Sequence, residues 1–201
     1  MELLTDASFL PQDLSEVRAM QNEDGSWKIP GRAIVFNQRS RKLGWFYEII
    51  DSRALEGARM ENAISCWNHN TSHILGTVRN QTTSYTITAE GLDYETLPPN
   101  NQTTNDIVIS PILRRDVTGS SFMFHVPRKG EEWVEEEGGI YVRYVTKIDE
   151  VFEWGPVSMA AYLNSSSEVA KRSFDEFIQL KKLQEISYRS QFVKMQRQLL
   201  R

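Results

Sequence analysis

The densest group of chemically competent side chains is the run Cys66-Trp67-Asn68-His69-Asn70-Thr71-Ser72-His73, which holds a thiol and two imidazoles. These are zinc-ligand types, but a structural zinc site needs four donors, and the fourth would have to come from a distant residue such as His125. Cys66 also closes an apolar stretch, where a small buried thiol is the ordinary outcome. A cysteine nucleophile served by His69 or His125 needs an electropositive, half-exposed pocket, and no neighbouring residues announce one. The chain has no glycine-rich phosphate loop, nucleophile elbow or zincin helix. The acids Glu131, Glu132, Glu135, Glu136 and Glu137 lack calcium-loop spacing and read as a solvated turn. The expectation from the residues is a protein with no catalytic centre, no metal and no cofactor.

Charge is the stronger signal. The net charge of −4 argues against a protein that coats nucleic acid over its whole surface. The distribution is uneven, with Arg39, Arg41 and Lys42 together in a basic patch. Arg189, Lys194, Arg197 and Arg201 make the C-terminus basic as well. Against them stands the acidic run at Glu131, Glu132, Glu135, Glu136 and Glu137. Separated patches of opposite sign suit attraction between copies, or binding to an anionic surface by one face. Basic residues beside Trp45, Phe46 and Tyr47 also admit nucleic-acid binding, although strand alternation lets only half of these aromatics face out.

The elements that would position these groups follow from length and periodicity. A chain of 201 residues, 40% hydrophobic, is long enough for one domain with a real core. With Cys66 alone, no internal disulfide is possible. No apolar run spans a bilayer and the N-terminus is unlike a signal peptide, so a reducing, cytosolic setting is expected. The glycosylation-like triplets at Asn70, Asn80, Asn101 and Asn164 then read as polar turns.

Periodicity predicts a short helix from Leu10 to Met20, strands at 33–36 and 45–50 with the basic patch between them at a hairpin tip, and a helix from Arg53 to Trp67. A second hairpin is expected over 73–79 and 84–90, then a loop at 96–105. Strands are expected near 107–113, at 121–126 and over 139–152, the last stopped by Gly155-Pro156. After Asn164-Ser165-Ser166-Ser167 the chain turns helical, and Tyr188, Phe192, Met195 and Leu199 form an apolar stripe suited to self-association. The fold class is α+β, a single domain with a twisted, mostly antiparallel sheet, packed helices and a long C-terminal amphipathic helix. The divisions are an N-terminal arm at 1–30, the α+β domain at 31–180 and a basic helical extension at 181–201.

Ala63-Ile64-Ser65-Cys66-Trp67-Asn68-His69, set after an aromatic strand, resembles a segment of the rhabdovirus matrix proteins. There a helix ends in an apolar residue, Ser, a variable residue, Trp, an acid or amide, then His. Val126-Pro127, the strand led by Gly139, Pro156, Leu163-Asn164-Ser165-Ser166 and Phe174 are similar to that family's C-terminal half. The resemblance implies a non-enzymatic virion structural protein that self-associates into a helical array. It would condense the nucleoprotein–RNA nucleocapsid and link it to the inner leaflet of the viral envelope, with the glycoprotein tail a further partner. Arg39, Arg41 and Lys42 would then meet nucleocapsid or lipid. The host cytoplasm, membrane periphery and nucleus are its expected places outside the virion. A lysine-rich N-terminal tail and a Pro-Pro-x-Tyr budding motif are departures from the family's pattern, being absent here. The second reading is a nucleic-acid-binding accessory protein, such as a viral movement protein or silencing suppressor.

Overall fold

The computed structural model describes residues 16–158 and 173–188. Two compact units divide at 163/164. The first is mixed α/β with mostly antiparallel sheets, and within the described part of the second there is one helix, α3, over residues 173–188. Leu180, Leu183, Ile186 and Tyr188 on that helix are exposed.

Eleven strands in the first unit make three sheets among the described residues. One has the order β1-β2-β7-β6, from β1 (Met20–Gln21), β2 (Trp27–Val35), β6 (Thr83–Ile87) and β7 (Gly91–Thr96). A second is β3-β10-β9, from β3 (Phe46–Ile50), β9 (Glu131–Glu136) and β10 (Ile140–Val145). The third is β5-β4-β11-β8, from β4 (Ile64–Trp67), β5 (Asn70–Thr77), β8 (Gly119–His125) and β11 (Glu150–Val157). Two pairs are parallel, β3 with β10 and β4 with β11.

The core lies between the first and third sheets. Ile29, Ile34, Leu92 and Tyr94 from one meet Phe122 and Trp154 from the other, all buried in one cluster. Trp154 is the bulkiest fully buried side chain there, and it satisfies its only polar side-chain atom by donating Nε1–H to Thr83 Oγ1 at 3.1 Å. The helical segment of α1 (Gln102–Thr104), a π-helical turn (Asn105–Ile109) and α2 (Ser110–Leu113) adds Val108, Ile109 and Ile112 to the same cluster.

The structure revises several elements. The expected helix over 53–67 is instead a string of tight turns followed by β4. Ala54, Glu56 and Ala58 donate to Asp51, Arg53 and Leu55, and Gly57 at φ 77° ends the run. Good helix formers are overruled because Ile64–Trp67 is paired on both sides, by β5 and β11. The strand expected near 107–113 is helical, because Asn101 caps α1 by accepting from the Thr104 N–H at 2.9 Å. Its β-branched residues then fall at helical spacing, with Val108 and Ile112 buried four apart.

The hairpins re-pair as well: β2 and β3 belong to different sheets, and β5 and β6 pair with β4 and β7 rather than with each other. The long strand at 139–152 is two strands in two sheets. Gly155-Pro156 lies inside β11 rather than stopping it. Residues 16 and 17 make isolated bridges rather than a helix, and the rest of the expected N-terminal helix up to residue 15 lies outside the described residues.

Candidate active site

The site is built on β11, an inner strand of the third sheet. Along it side chains alternate between the core and the opposite face. Trp154 points into the core, so Glu153 and Gly155 belong to the other face. Glu153 is only 2% exposed, an expensive place for a carboxylate without donors.

Two donors come from the β4–β5 hairpin. Trp67 pairs with Asn70 across a two-residue turn whose central residues, Asn68 and His69, have φ of 51° and 57°. Positive φ at both positions is the type I′ geometry that suits the twist of a hairpin, and Asn and His are among the side chains that tolerate it best. The turn is tied to β11. Asn68 N–H donates to Pro156 O at 3.1 Å, while Asn68 Oδ1 accepts from Ser158 N–H at 2.7 Å and Ser158 Oγ–H at 3.1 Å. This clamp holds His69 so that its Nδ1 donates to Glu153 Oε1. Because the carboxylate is an acceptor, the proton is assigned to Nδ1, leaving Nε2 a free acceptor. Cys66, the second donor, is fully buried and gives its thiol hydrogen to Glu153 Oε2 at 2.9 Å.

A hydroxyl completes the face. On β8, Met123 lies opposite Glu153 and Ser121 opposite Gly155. Residues two apart share a face, so Ser121 stands on the same surface as Glu153. Ser121 Oγ is buried and has no hydrogen-bond partner among the described residues. The other nearby serines are disposed differently. Ser120 Oγ is bonded to Tyr94 OH at 2.8 Å in the core, and Ser158 Oγ is spent on Asn68. Ser65 Oγ is also without a partner, but Ser65 is in register with the core residue Trp154.

Electrostatics separates a possible thiol nucleophile from a hydroxyl one. Burial, reinforced by the neighbouring Glu153 charge, pushes the Cys66 thiol far above its ordinary range, against a smaller opposing effect of the His69 backbone N–H. Cys66 is therefore a protonated donor, not a thiolate. The arrangement left is a carboxylate that orients an imidazole, with an unengaged hydroxyl on the same face. These are the residue types that nucleophilic acyl transfer uses, with the hydroxyl–imidazole hydrogen bond not formed in this structure. A second histidine–carboxylate pair, His125 Nδ1 with Asp149 Oδ1 at 2.7 Å, is more exposed, and Asp149 also faces Arg59. The His125 hydrogen bond holds the Asp149 carboxyl below its ordinary range.

The sequence profile of the Caudovirus prohead serine protease matches residues 14–180, more than four fifths of the chain. The chain belongs to that family. No curated protein and no solved structure matches it significantly.

The family overturns the resemblance drawn from the sequence. The chain is not a rhabdovirus matrix protein, and the reading as a nucleic-acid-binding accessory protein, such as a viral movement protein or silencing suppressor, falls with it. The expectation of a non-enzymatic protein is corrected, since the family is one of serine proteases. Nucleocapsid, envelope and glycoprotein partners, and a place beneath an envelope or at a host membrane, are replaced by the setting of a phage prohead. The physical reason is plain at Ala63–His69, which carried the resemblance as a helix end. It is a strand running into a hairpin turn.

The predicted patches lie away from Glu153. Arg39 Nη2 pairs with Glu136 Oε1 at 2.6 Å and stacks over Tyr47, so basic and acidic patches meet within one molecule. Arg41 is half-buried with its Nε unpaired, and Lys42 is exposed. Glu131 bonds the buried Arg143, Glu132, Glu135 and Glu137 are exposed, and all but Glu137 lie on β9. Tyr188 is exposed on α3, while Phe192, Met195 and Leu199 lie outside the described residues. Of the candidate zinc ligands, Cys66 and His69 converge on Glu153, whereas the His73 ring is 3.4 Å from the Asn70 amide. No three potential ligands gather as a metal site among the described residues.

Sequence reasoning picked out Cys66 and His69 for other chemistry and missed Glu153 and Ser121. A lone acid in the apolar run Val151–Val157 was the available signal, because buried carboxylates need a reason. Nothing in the sequence distinguishes Ser121 from Ser120.

Proposed function

We propose that the chain is a serine endopeptidase that cleaves proteins of the phage prohead, with Ser121 as nucleophile, His69 as general base and Glu153 as the residue that orients it. The single observation behind the assignment is the buried Glu153 carboxylate holding His69 Nδ1 on the sheet face that also carries Ser121. The family, named for a prohead serine protease, supplies the reaction class.

In this mechanism Ser121 Oγ attacks the scissile carbonyl carbon as its proton passes to His69 Nε2. The tetrahedral species collapses, the C–N bond breaks and His69 returns the proton to the departing amine. Water, deprotonated by His69, then hydrolyses the acyl-enzyme and restores the Ser121 hydroxyl. Glu153 keeps the imidazole in the productive tautomer and stabilises the imidazolium formed in each half-reaction. Ser121 is 3% exposed, so a substrate carbonyl reaches Oγ only after local opening of this face.

The test is cleavage of the cognate capsid and scaffold proteins when they are co-expressed with the chain. S121A and H69A should abolish processing, and E153Q should slow it by about 10⁴-fold. The triad reading fails if S121A processes the substrate at the wild-type rate.

A further inference from the structure

We propose that Cys66 is a positioning residue of the active site, its thiol fixing one oxygen of Glu153 while the other oxygen fixes His69. The inference rests on the reading of Ser121, His69 and Glu153 as a triad and extends it to a residue with no role in the chemistry itself.

A carboxylate at 2% exposure has lost most of its hydration and must be satisfied by donors from the protein. Among the described residues no lysine or arginine pairs with Glu153. Its hydrogen bonds come from His69 Nδ1 on Oε1 and Cys66 Sγ on Oε2, the latter at 2.9 Å. Cys66 is held in place by β4, which pairs in parallel with β11. A Cβ on Gly155 would sit 2.0 Å from the Cys66 carbonyl oxygen, so glycine there is what permits the approach. The proton stays on sulfur, because burial and the Glu153 charge both oppose thiolate formation.

Other groups around the carboxylate do not replace this donor. From β7, Tyr94 is close enough to feel the Glu153 charge, but its hydroxyl is engaged with Ser120. From β8, Met123 and Ser121 carry no charge. On β11 itself, Glu150 is paired with Arg59 at 2.7 Å. Thus, among the described residues, the thiol is the one side chain besides His69 that draws charge from the carboxylate through a hydrogen bond.

This makes Cys66 a control on His69. A donor on Oε2 weakens the carboxylate's pull on the imidazolium. Removing it strengthens that pull and makes His69 more basic, while a better donor has the opposite effect. A residue that merely filled space would not rank this way, since serine and alanine both shrink the side chain.

The experiment titrates the His69 ring by NMR in full-length chain carrying ¹³C-histidine, for wild type, C66S and C66A, with circular dichroism confirming the fold. The expected order of midpoints is C66S below wild type and C66A above it. Equal midpoints, or C66S moving upward together with C66A, would overturn the proposal. Should C66A fail to fold, the C66S shift decides alone: downward supports the proposal and no shift refutes it. The titration needs no turnover. An S121A chain that still cleaves would therefore sink the triad while leaving the order of midpoints intact, and a correct triad with unmoved midpoints would sink only the role of Cys66.

Discussion

At the scale of single residues, one environment suppresses one reactive group and prepares another. Burial, aided by the Glu153 carboxylate, keeps Cys66 protonated while the same carboxylate orients His69, which fits the proposed serine rather than cysteine chemistry. Thiol–disulfide exchange checks this directly. At pH 8 the folded protein should react with a disulfide reagent at least about 100-fold more slowly than the urea-unfolded chain, whose thiol has its ordinary acidity. Because the thiolate is the reacting form, the slow rate should climb about tenfold between pH 8 and pH 9 without levelling off, since the folded thiol titrates above that range. A fast reaction of the native protein that levels off by pH 9 would mean a solvated Cys66 and a different active site.

At the scale of elements, the site depends on how closely two strands approach. The β4–β5 turn presents His69 and β11 presents Glu153, and Gly155 sets the separation between them. G155A forces a methyl group against the Cys66 backbone. It should cost about 1–3 kcal/mol of stability, measured by urea denaturation. Activity should fall much further than the fraction unfolded explains, since His69 and Glu153 part company. Loss of activity that merely tracks the melting curve would show that the strand spacing does not position the pair. Asn68 acts on the same spacing from the other side. N68A keeps the chain's length but removes the acceptor for Ser158, so it should lower kcat with little change in KM.

At the scale of the whole molecule, the second sheet is held by a buried charge cluster away from the chemistry. Arg143, 2% exposed, bonds Glu48 and Glu131, which reach it from β3 and β9 on either side of β10. Burial raises the Glu48 carboxyl above its ordinary range, against the opposing pull of Arg143. The folded state therefore binds a proton that the unfolded state releases, and stability falls as pH rises from the ordinary carboxylate range towards the folded value. R143M leaves the buried Glu48 and the partly buried Glu131 without a cation and should cost about 3–5 kcal/mol at pH 7.5. The loss should shrink at pH 5, where Glu48 is protonated more readily in the folded chain than in the unfolded one. Urea denaturation at the two pH values reads this, and a loss that grows on acidification would contradict the burial of the cluster.

Local pattern sufficed wherever one residue's neighbours in the chain decide its state. The strands at 46–50, 83–87 and 119–125 follow from β-branched and aromatic runs, and the mixed α/β character from their alternation with turns. Even the odd thiol and imidazole of Cys66 and His69 stood out. The structure alone decided what required partners from afar. Ile64–Trp67 is extended because β11 and β5 pair with it, against a helix-forming prelude. Above all, Glu153 and Ser121 lie 84 and 52 residues from His69 along the chain, and only the register of β4, β11 and β8 brings them onto one face. Sequence periodicity records which side of a strand a residue takes. It carries no information about which strand lies next to it, and the chemistry of this chain lives in that adjacency.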